Sequence, residues 1–464
     1  MMVNRHLDGS AIDAQRLVDG MDLHLSHYGG RPLDLAIVGG DGIWADAVVT
    51  AGTRRGELIR AMDASGTYAS ACLGAAHPVV GQALTTGLAA GHATDAMGAA
   101  ERSEFLLDLL GPNGLLVDHF AYGDYVASGR SSGSEGLELA LRLVLESRVD
   151  MSTGRPGPRA GRDTVLAFEG AWHGWTGGLL PLLNRRHYRH GLPTFDTATA
   201  SGLNVRHIPF GDAEALQGFI QEHGHRLLAT VIEPIQGDAG ILEPPDGYLR
   251  EVADLTARAG ALLVADEVLT FAKTGALLAM RDSHGPVPTD VTVVGKSIGM
   301  GVVPFSVVIA RRELRIRTTG AVSTNDLRPL ACSVARHGLR HIHDTGLLAS
   351  SAERGQQLIS RMNHELVEQR GHLFREVRGT GALLGVEMTE LGSERISALR
   401  RSLADHGVLV EFMAGAGRRS RNHRYVFPTL RIVPPLTITS DESAELVDRL
   451  VRGIDALEAA GACT

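Results

Sequence analysis

Between Ala76 and about Arg340, short apolar, β-branched runs alternate with helix-like segments, and this alternation restricts the fold more than any other feature. The runs are YVAS at 125–128, TVLAF at 164–168, LATVI at 228–232, ALLVA at 261–265, DVTVV at 290–294 and FSVVI at 305–309. Unbroken apolar runs of this length suit strands buried on both faces, which are stable inside a parallel sheet with helices over each side. The pattern predicts an α/β large domain over residues 76–345. Residues 1–75 read as a mixed N-terminal segment, with GG and DG turn signals and one apolar run at Leu35–Val38. After Thr345, heptad-like helical stretches and the shorter strands GALLGVEM, GVLVEF and LRIVPPL predict a smaller α+β domain over 346–464. The Gly/Pro/Arg-rich stretch 147–163 reads as a surface loop.

Composition removes several function classes. A chain of 464 residues has ample material for two or three domains. A net charge of −8 without a basic block argues against nucleic acid as the main partner. No apolar run approaches the roughly 18 residues that span a bilayer, and the polar start MMVNRHLDGSAIDAQRL lacks the apolar centre of a secretory signal. Cys72, Cys332 and Cys463 are too scattered for a disulfide framework or a CxxC pair, so a reducing cytoplasm is the expectation and no metal site is read. Of the 45 basic residues only Lys273 and Lys296 are lysine. Any chemistry that needs a primary amine therefore has two candidates.

Five stations follow the predicted strands. Ser128-Gly-Arg-Ser-Ser-Gly-Ser-Glu opens a helix with a capping box from Ser132 to Glu135, leaving amides at Gly133 and Ser134 free for an anion. Trp172-His173-Gly174-Trp175 puts an aromatic where it can cover a flat heteroaromatic ligand. Glu233-Pro-Ile-Gln236-Gly-Asp238 and Asp266-Glu-Val268 each place a carboxylate at a buried strand end, where it needs a cationic partner such as a protonated pyridine nitrogen. Val293-Val-Gly-Lys296 sets a lysine among glycines, and desolvation there would make its amine nucleophilic. Taken singly, each has a structural alternative: a helix cap, a core tryptophan, an ion pair, a solvated lysine. Together they supply an anion nest, an aromatic cover, a pyridinium partner and an imine-forming lysine, which are the requirements of pyridoxal phosphate.

From about Asp63 to Glu442 this order of motifs resembles the class III (ω-amino-acid type) aminotransferases of the fold-type I pyridoxal-phosphate enzymes. The resemblance implies a mostly parallel seven-stranded sheet flanked by helices. It implies that Gly133 and Ser134 bind the cofactor phosphate and that Trp172, followed by His173, stacks on the ring. Asp266 then partners the pyridine nitrogen, Val268 packs on the opposite ring face, Gln236 lies near the ring's phenolic oxygen, and Glu233 of the same segment is a further cofactor-binding residue. Lys296 is the Schiff-base lysine and proton shuttle. Lys273, in FAKTG, falls where the family has arginine and is expected to be a structural cation. Thr324, in Thr324–Pro329, is expected to reach the phosphate of a partner subunit, so a homodimer with shared sites is implied. Two departures stand out: Gly136 replaces the usual alanine after SGSE, and Arg328 replaces the usual asparagine before Pro329.

For the substrate, the resemblance pairs Asp238 with Arg431 as a gate and adds Tyr68 and Trp175 to the facing residues. Relatives that act on ornithine or 4-aminobutyrate carry an arginine where Trp175 stands, and an indole offers one N–H and no charge. The expected reaction is transfer of an amino group from an amine, diamino acid or ω-amino acid to a 2-oxo acid. Racemisation, an aminomutase reaction or decarboxylation on the same fold remains the alternative. A nicotinamide enzyme is disfavoured because no GxGxxG follows the first sheet strand.

Overall fold

In the computed structural model, the described residues are 13–25, 33–94, 96–184, 203–314, 323–413, 415 and 426–461; Cys463 and the first twelve residues of the chain lie outside them. An N-terminal antiparallel meander comprises β1 (Leu35–Asp41), β2 (Trp44–Val49) and β3 (Leu58–Asp63). The central sheet takes β4 (Tyr125–Arg130), β5 (Thr164–Phe168), β6 (Asn204–Ile208), β7 (Leu227–Ile232) and β8 (Leu262–Glu267). After a two-residue hairpin, β9 (Arg281–Asp282) and β10 (Gly285–Pro286), it is completed by β11 (Val291–Val294) and β12 (Ser306–Arg311). Its seven strands lie in the order β4-β12-β11-β8-β7-β5-β6, and only β12 runs against the rest.

The six expected strands are all present, and their alternating side chains explain why. Val165, Val231, Val264 and Val293 enter one apolar cluster with the helix Gly133–Glu146, while Leu166, Ile232, Leu263 and Ala265 enter another with the helices Ala213–His223 and Tyr248–Arg258. Each of these strands thus buries both faces, at about 1.5–3 kcal/mol per large side chain removed from water. The seventh strand, β6, gave no apolar run: Arg206 and His207 interrupt it at the sheet edge, where only Val205 and Ile208 are buried.

The smaller C-terminal sheet contains β13 (Phe374–Thr380), β14 (Leu383–Met388), β16 (Glu411–Met413) and β17 (Thr429–Ile432), in the order β13-β14-β17-β16. Between them β15 (Val408–Leu409) leaves that sheet and pairs in parallel with β3, Val408 against Met62. The run GVLVEF therefore serves two sheets. Met62 and Ile43 share an apolar cluster with Leu384, Leu403, Leu430 and Leu446, so the N-terminal meander and the C-terminal segment have one core between them. Among the described residues no helix is long and apolar enough to cross a membrane.

Register aligns the strand ends. Val294 lies opposite Glu267, and Ala265 opposite Ile232. Residues one or two beyond β7, β8 and β11 must therefore emerge along one edge. Those residues are Glu233, Val268 and Lys296, with Asp266 in the last two residues of β8 itself.

Candidate active site

At that edge opens a cavity of about 1220 Å³, bounded below by the strand ends and on the far side by the helix Ile396–Asp405 and strands β16 and β17. Ser131 to Ser134, Trp172, His173, Glu233, Asp238, Asp266, Val268 and Lys296 all line it. Gln236 and Thr324 do not, and neither does Trp175.

The anion nest forms as the capping signal predicts. The Glu135 N–H donates to Ser132 Oγ at 3.2 Å, and the Ser131 N–H donates to Glu135 Oε2 at 2.8 Å, one residue earlier than the usual reciprocal bond. Space here is set by side chains that are missing. A Cβ on Gly133 would come within 2.6 Å of Val268 Cγ1, and one on Gly174 within 2.5 Å of Ser134 Oγ. Gly136 is explained the same way: an alanine there would meet Val293 Cγ1 at 2.7 Å.

Asp266 is buried and held on both sides. The Val268 N–H donates to its Oδ1 at 3.1 Å, and His173 Nδ1–H donates to its Oδ2 at 2.9 Å. Burial alone would lower the His173 pKa, but the bond and charge of Asp266, with Glu233 behind, outweigh it and raise the imidazole above its ordinary value. Glu233 accepts from the Trp172 N–H at 3.0 Å, tying the aromatic loop to the end of β7. Burial pushes its carboxyl up to about 7, with His173 pulling it down and Asp266 pushing it further up.

Lys296 stands at φ +44, in the left-handed region that a side chain resists by roughly 1–2 kcal/mol. Burial, aided by Arg431, lowers its amine to about 8, while Asp266, Glu233 and Asp238 pull in the opposite sense. Lys273 is elsewhere. It is fully buried, and its Nζ donates to Leu269 O at 2.7 Å, to Ser297 Oγ at 2.6 Å and to Phe271 O at 3.3 Å. Its amine is spent on these three bonds inside the fold, outside the cavity lining.

The set fits pyridoxal phosphate. A cradle of amides at a helix N-terminus suits its phosphate, Asp266 suits its pyridine nitrogen, and Lys296 suits its aldehyde. Gln236 Oε1 is buried without a hydrogen-bond partner, although the Nε2 of the same amide donates to Glu169 O at 3.0 Å. Gln236 is fully buried and stands outside the cavity lining.

On the substrate side, Tyr68 enters the cavity from a turn at φ +55, and Asp238 shares the wall with Arg431. Arg431 also forms an ion pair with Glu411, its direct partner in the β16–β17 register. Glu411 was missed because it looks like a surface charge ending an apolar run. Arg400, a second cavity guanidinium, was missed because its helix showed only an amphipathic pattern. Trp175 is half exposed and stacks on Trp172 with ring centroids 5.3 Å apart, so it backs the ring cover without facing the cavity. Thr324 is exposed on a turn that Asp326 fixes to β4 by accepting from the Ser128 hydroxyl at 3.1 Å.

Residues 56–454 match the family described as Aminotransferase class-III. Ornithine aminotransferase of Bordetella pertussis is 30% identical over 429 residues, covering 91% of this chain and 92% of that protein. The solved ornithine aminotransferase of Toxoplasma gondii superposes with a TM-score of 0.78 at 22% identity, over 96% of this chain and 95% of its own. An (S)-enantioselective omega-transaminase from Thermomicrobium roseum gives 0.77 at 21% identity, over 97% and 99%.

Proposed function

The chain belongs to the class III aminotransferases, which depend on pyridoxal phosphate, and we propose that it moves the amino group of a diamino acid, ω-amino acid or amine to a 2-oxo acid. The observation that carries this reading is the meeting of Lys296 and Asp266 in one cavity, from the ends of neighbouring parallel strands. The names of the relatives support a diamino-acid donor.

Bound there, pyridoxal phosphate supplies an aldehyde carbon and a ring that accepts the electron pair left by deprotonation. Gly133 and Ser134, at the helix N-terminus, would hold the phosphate. Asp266 keeps a proton at the pyridine nitrogen, and His173 fixes the carboxylate that does so. Lys296, with its amine lowered to about 8, is neutral in a useful fraction near neutrality. Its amine would hold the aldehyde of the cofactor and, when free, would move a proton at the substrate carbon. Trp172 and Val268 close the two faces and exclude water. For the acceptor, Arg431 is the cation at hand. Glu411 neutralises it while the donor reacts, and the second carboxylate of 2-oxoglutarate takes the place of Glu411.

Thr324, exposed and outside its own cavity, supports a homodimer in which it reaches the phosphate of the partner subunit. The buried free thiols of Cys72 and Cys332 suit a reducing cytoplasm.

Donor half-reactions test the assignment. Given L-ornithine and no acceptor, the holoenzyme should lose its long-wavelength absorbance and regain it on addition of 2-oxoglutarate. Lys296→Ala should do neither, with turnover lower by at least about 1000-fold. A racemase would keep the absorbance through turnover, and wild-type turnover by Lys296→Ala would sink the reading.

A further inference from the structure

The cavity wall contributed by the C-terminal segment holds two guanidiniums of different status. Arg431 is neutralised by Glu411. Arg400, on the helix Ile396–Asp405, has no carboxylate in ion-pair range among the described residues, and its Nε is buried without a hydrogen-bond partner. Its Cζ sits 5.0 Å from the ring centroid of Phe412, so the aromatic face supports one side of the fork. Burial lowers its pKa, with Tyr68 acting against that, yet a guanidinium stays charged at any working pH. A positive charge is therefore held half buried in the wall of a catalytic cavity, with an aromatic ring and a phenol for company.

Arrangements of this kind are costly unless an anion completes them. We propose that Arg400 is the anchor for a carboxylate of the amino donor, remote from the amine that reacts; this rests on the transaminase reading above. Two observations locate the subsite there. Trp175 stacks on Trp172 and brings no cation to the cavity, and Arg431 already has a carboxylate. Ile396, one helical turn before Arg400, and Val410 also line the cavity, giving an apolar sleeve beside the fork for the donor's methylenes. The structure thus selects a linear donor with an amine at one end, for Lys296 and Asp266, and a carboxylate at the other. Arg400 is a specificity-determining residue, with Tyr68 beside it.

The test compares L-ornithine with 1,4-diaminobutane, the same diamine without its carboxylate, in the donor half-reaction of the holoenzyme. The wild type should prefer ornithine in kcat/KM. In Arg400→Met that preference should fall by about 10- to 100-fold, the range for a charge-assisted bidentate pair, chiefly through KM for ornithine. Arg400→Lys, which keeps the charge and loses the fork, should fall between. Pentanoate, which has the carboxylate and no amine, should compete with the donor in the wild type and lose affinity by a similar factor in Arg400→Met. An unchanged preference with unchanged pentanoate inhibition, or a wild type that does not distinguish the two diamines, overturns the assignment. If neither diamine reacts and another amine does, the donor class proposed above is wrong. Pentanoate inhibition of that other reaction, wild type against Arg400→Met, then still decides the role of Arg400.

Discussion

The two lysines show how much a single residue can disclose. Scarcity made both candidates, and the motif context separated them, because only Lys296 follows a buried strand beside glycines. What no spacing could reveal is the task of Lys273. Its amine bonds to two carbonyls in the turn after Asp266 and to the hydroxyl of Ser297, next to Lys296. It thereby couples the loop after Asp266 to the turn that holds Lys296 at positive φ. Burial lowers the Lys273 amine to about 7, with Lys296 and Arg431 adding to this and Cys72 and Glu267 opposing. The unfolded chain binds more protons than the folded one between about 7 and the ordinary 10.5, so this residue makes stability rise with pH across that window. Below about 7 both states are protonated and its effect is level. In the holoenzyme, where Lys296 is no longer a free amine, Lys273→Met should flatten the slope. At pH 9 it should also cost about 1–3 kcal/mol, because Ser297 Oγ and Leu269 O lose their donor. Thermal melts between pH 7 and 10 check this, and a slope that persists in the variant would refute it.

Elements were legible where the chain keeps an apolar run and illegible where it does not. The central strands were readable because every residue of β5, β7, β8 and β11 is buried, and the mid-strand polar residues are threonines whose hydroxyls are bonded inside, Thr230 with Thr256 and Thr292 with Thr289. β6 escaped notice because Arg206 and His207 interrupt its apolar run, whereas β4, at the opposite edge, keeps one. The split of GVLVEF into β15 and β16 was hidden for a different reason: one apolar run can change sheets without a change in composition. The helix Gly133–Glu146 offers a test of which force dominates inside an element. Helix propensity favours alanine over glycine by about 1 kcal/mol. Against that, a Cβ on Gly136 would press on Val293 Cγ1 at 2.7 Å and Ser306 Oγ at 3.1 Å, and overpacking costs about 1–3 kcal/mol. Valine is stiff at χ1 and Val293 lies in a central strand, so packing should win. Gly136→Ala is expected to lower stability by about 1 kcal/mol net, as read by urea unfolding of the holoenzyme. A gain in stability would mean that the β11 wall yields more easily than its burial implies.

At the scale of the whole molecule, Tyr68, Asp238 and Arg431, named from the family resemblance, line the cavity, whereas Arg400 and Glu411 of the same wall had no signal in the sequence. The proposed cofactor residues follow strands β4, β5, β7, β8 and β11 of one sheet, so each is found at the end of an apolar run. Tyr68, Arg400, Glu411 and Arg431 come from the two ends of the chain and meet because β15 joins the N-terminal meander, a long-range pairing without a local signal. Thr324 extends the same reasoning beyond one chain. It is exposed and outside the cavity lining of its own subunit, on a turn fixed to β4, and in the proposed homodimer it would act where a second copy presents its phosphate site. Thr324→Glu would set a carboxylate against the phosphate dianion and should abolish activity in a shared site, while leaving Lys296 intact. Lys296→Ala disables the nucleophile and leaves Thr324 intact. Mixed by co-expression, the two inactive variants should form hybrid dimers in which one site combines a native Lys296 with a native Thr324. Random assortment puts about half of the dimers in the hybrid class, so about a quarter of wild-type activity should return. Sites complete within each chain would give no recovery at all, and full activity of Thr324→Glu alone would show that Thr324 touches no phosphate.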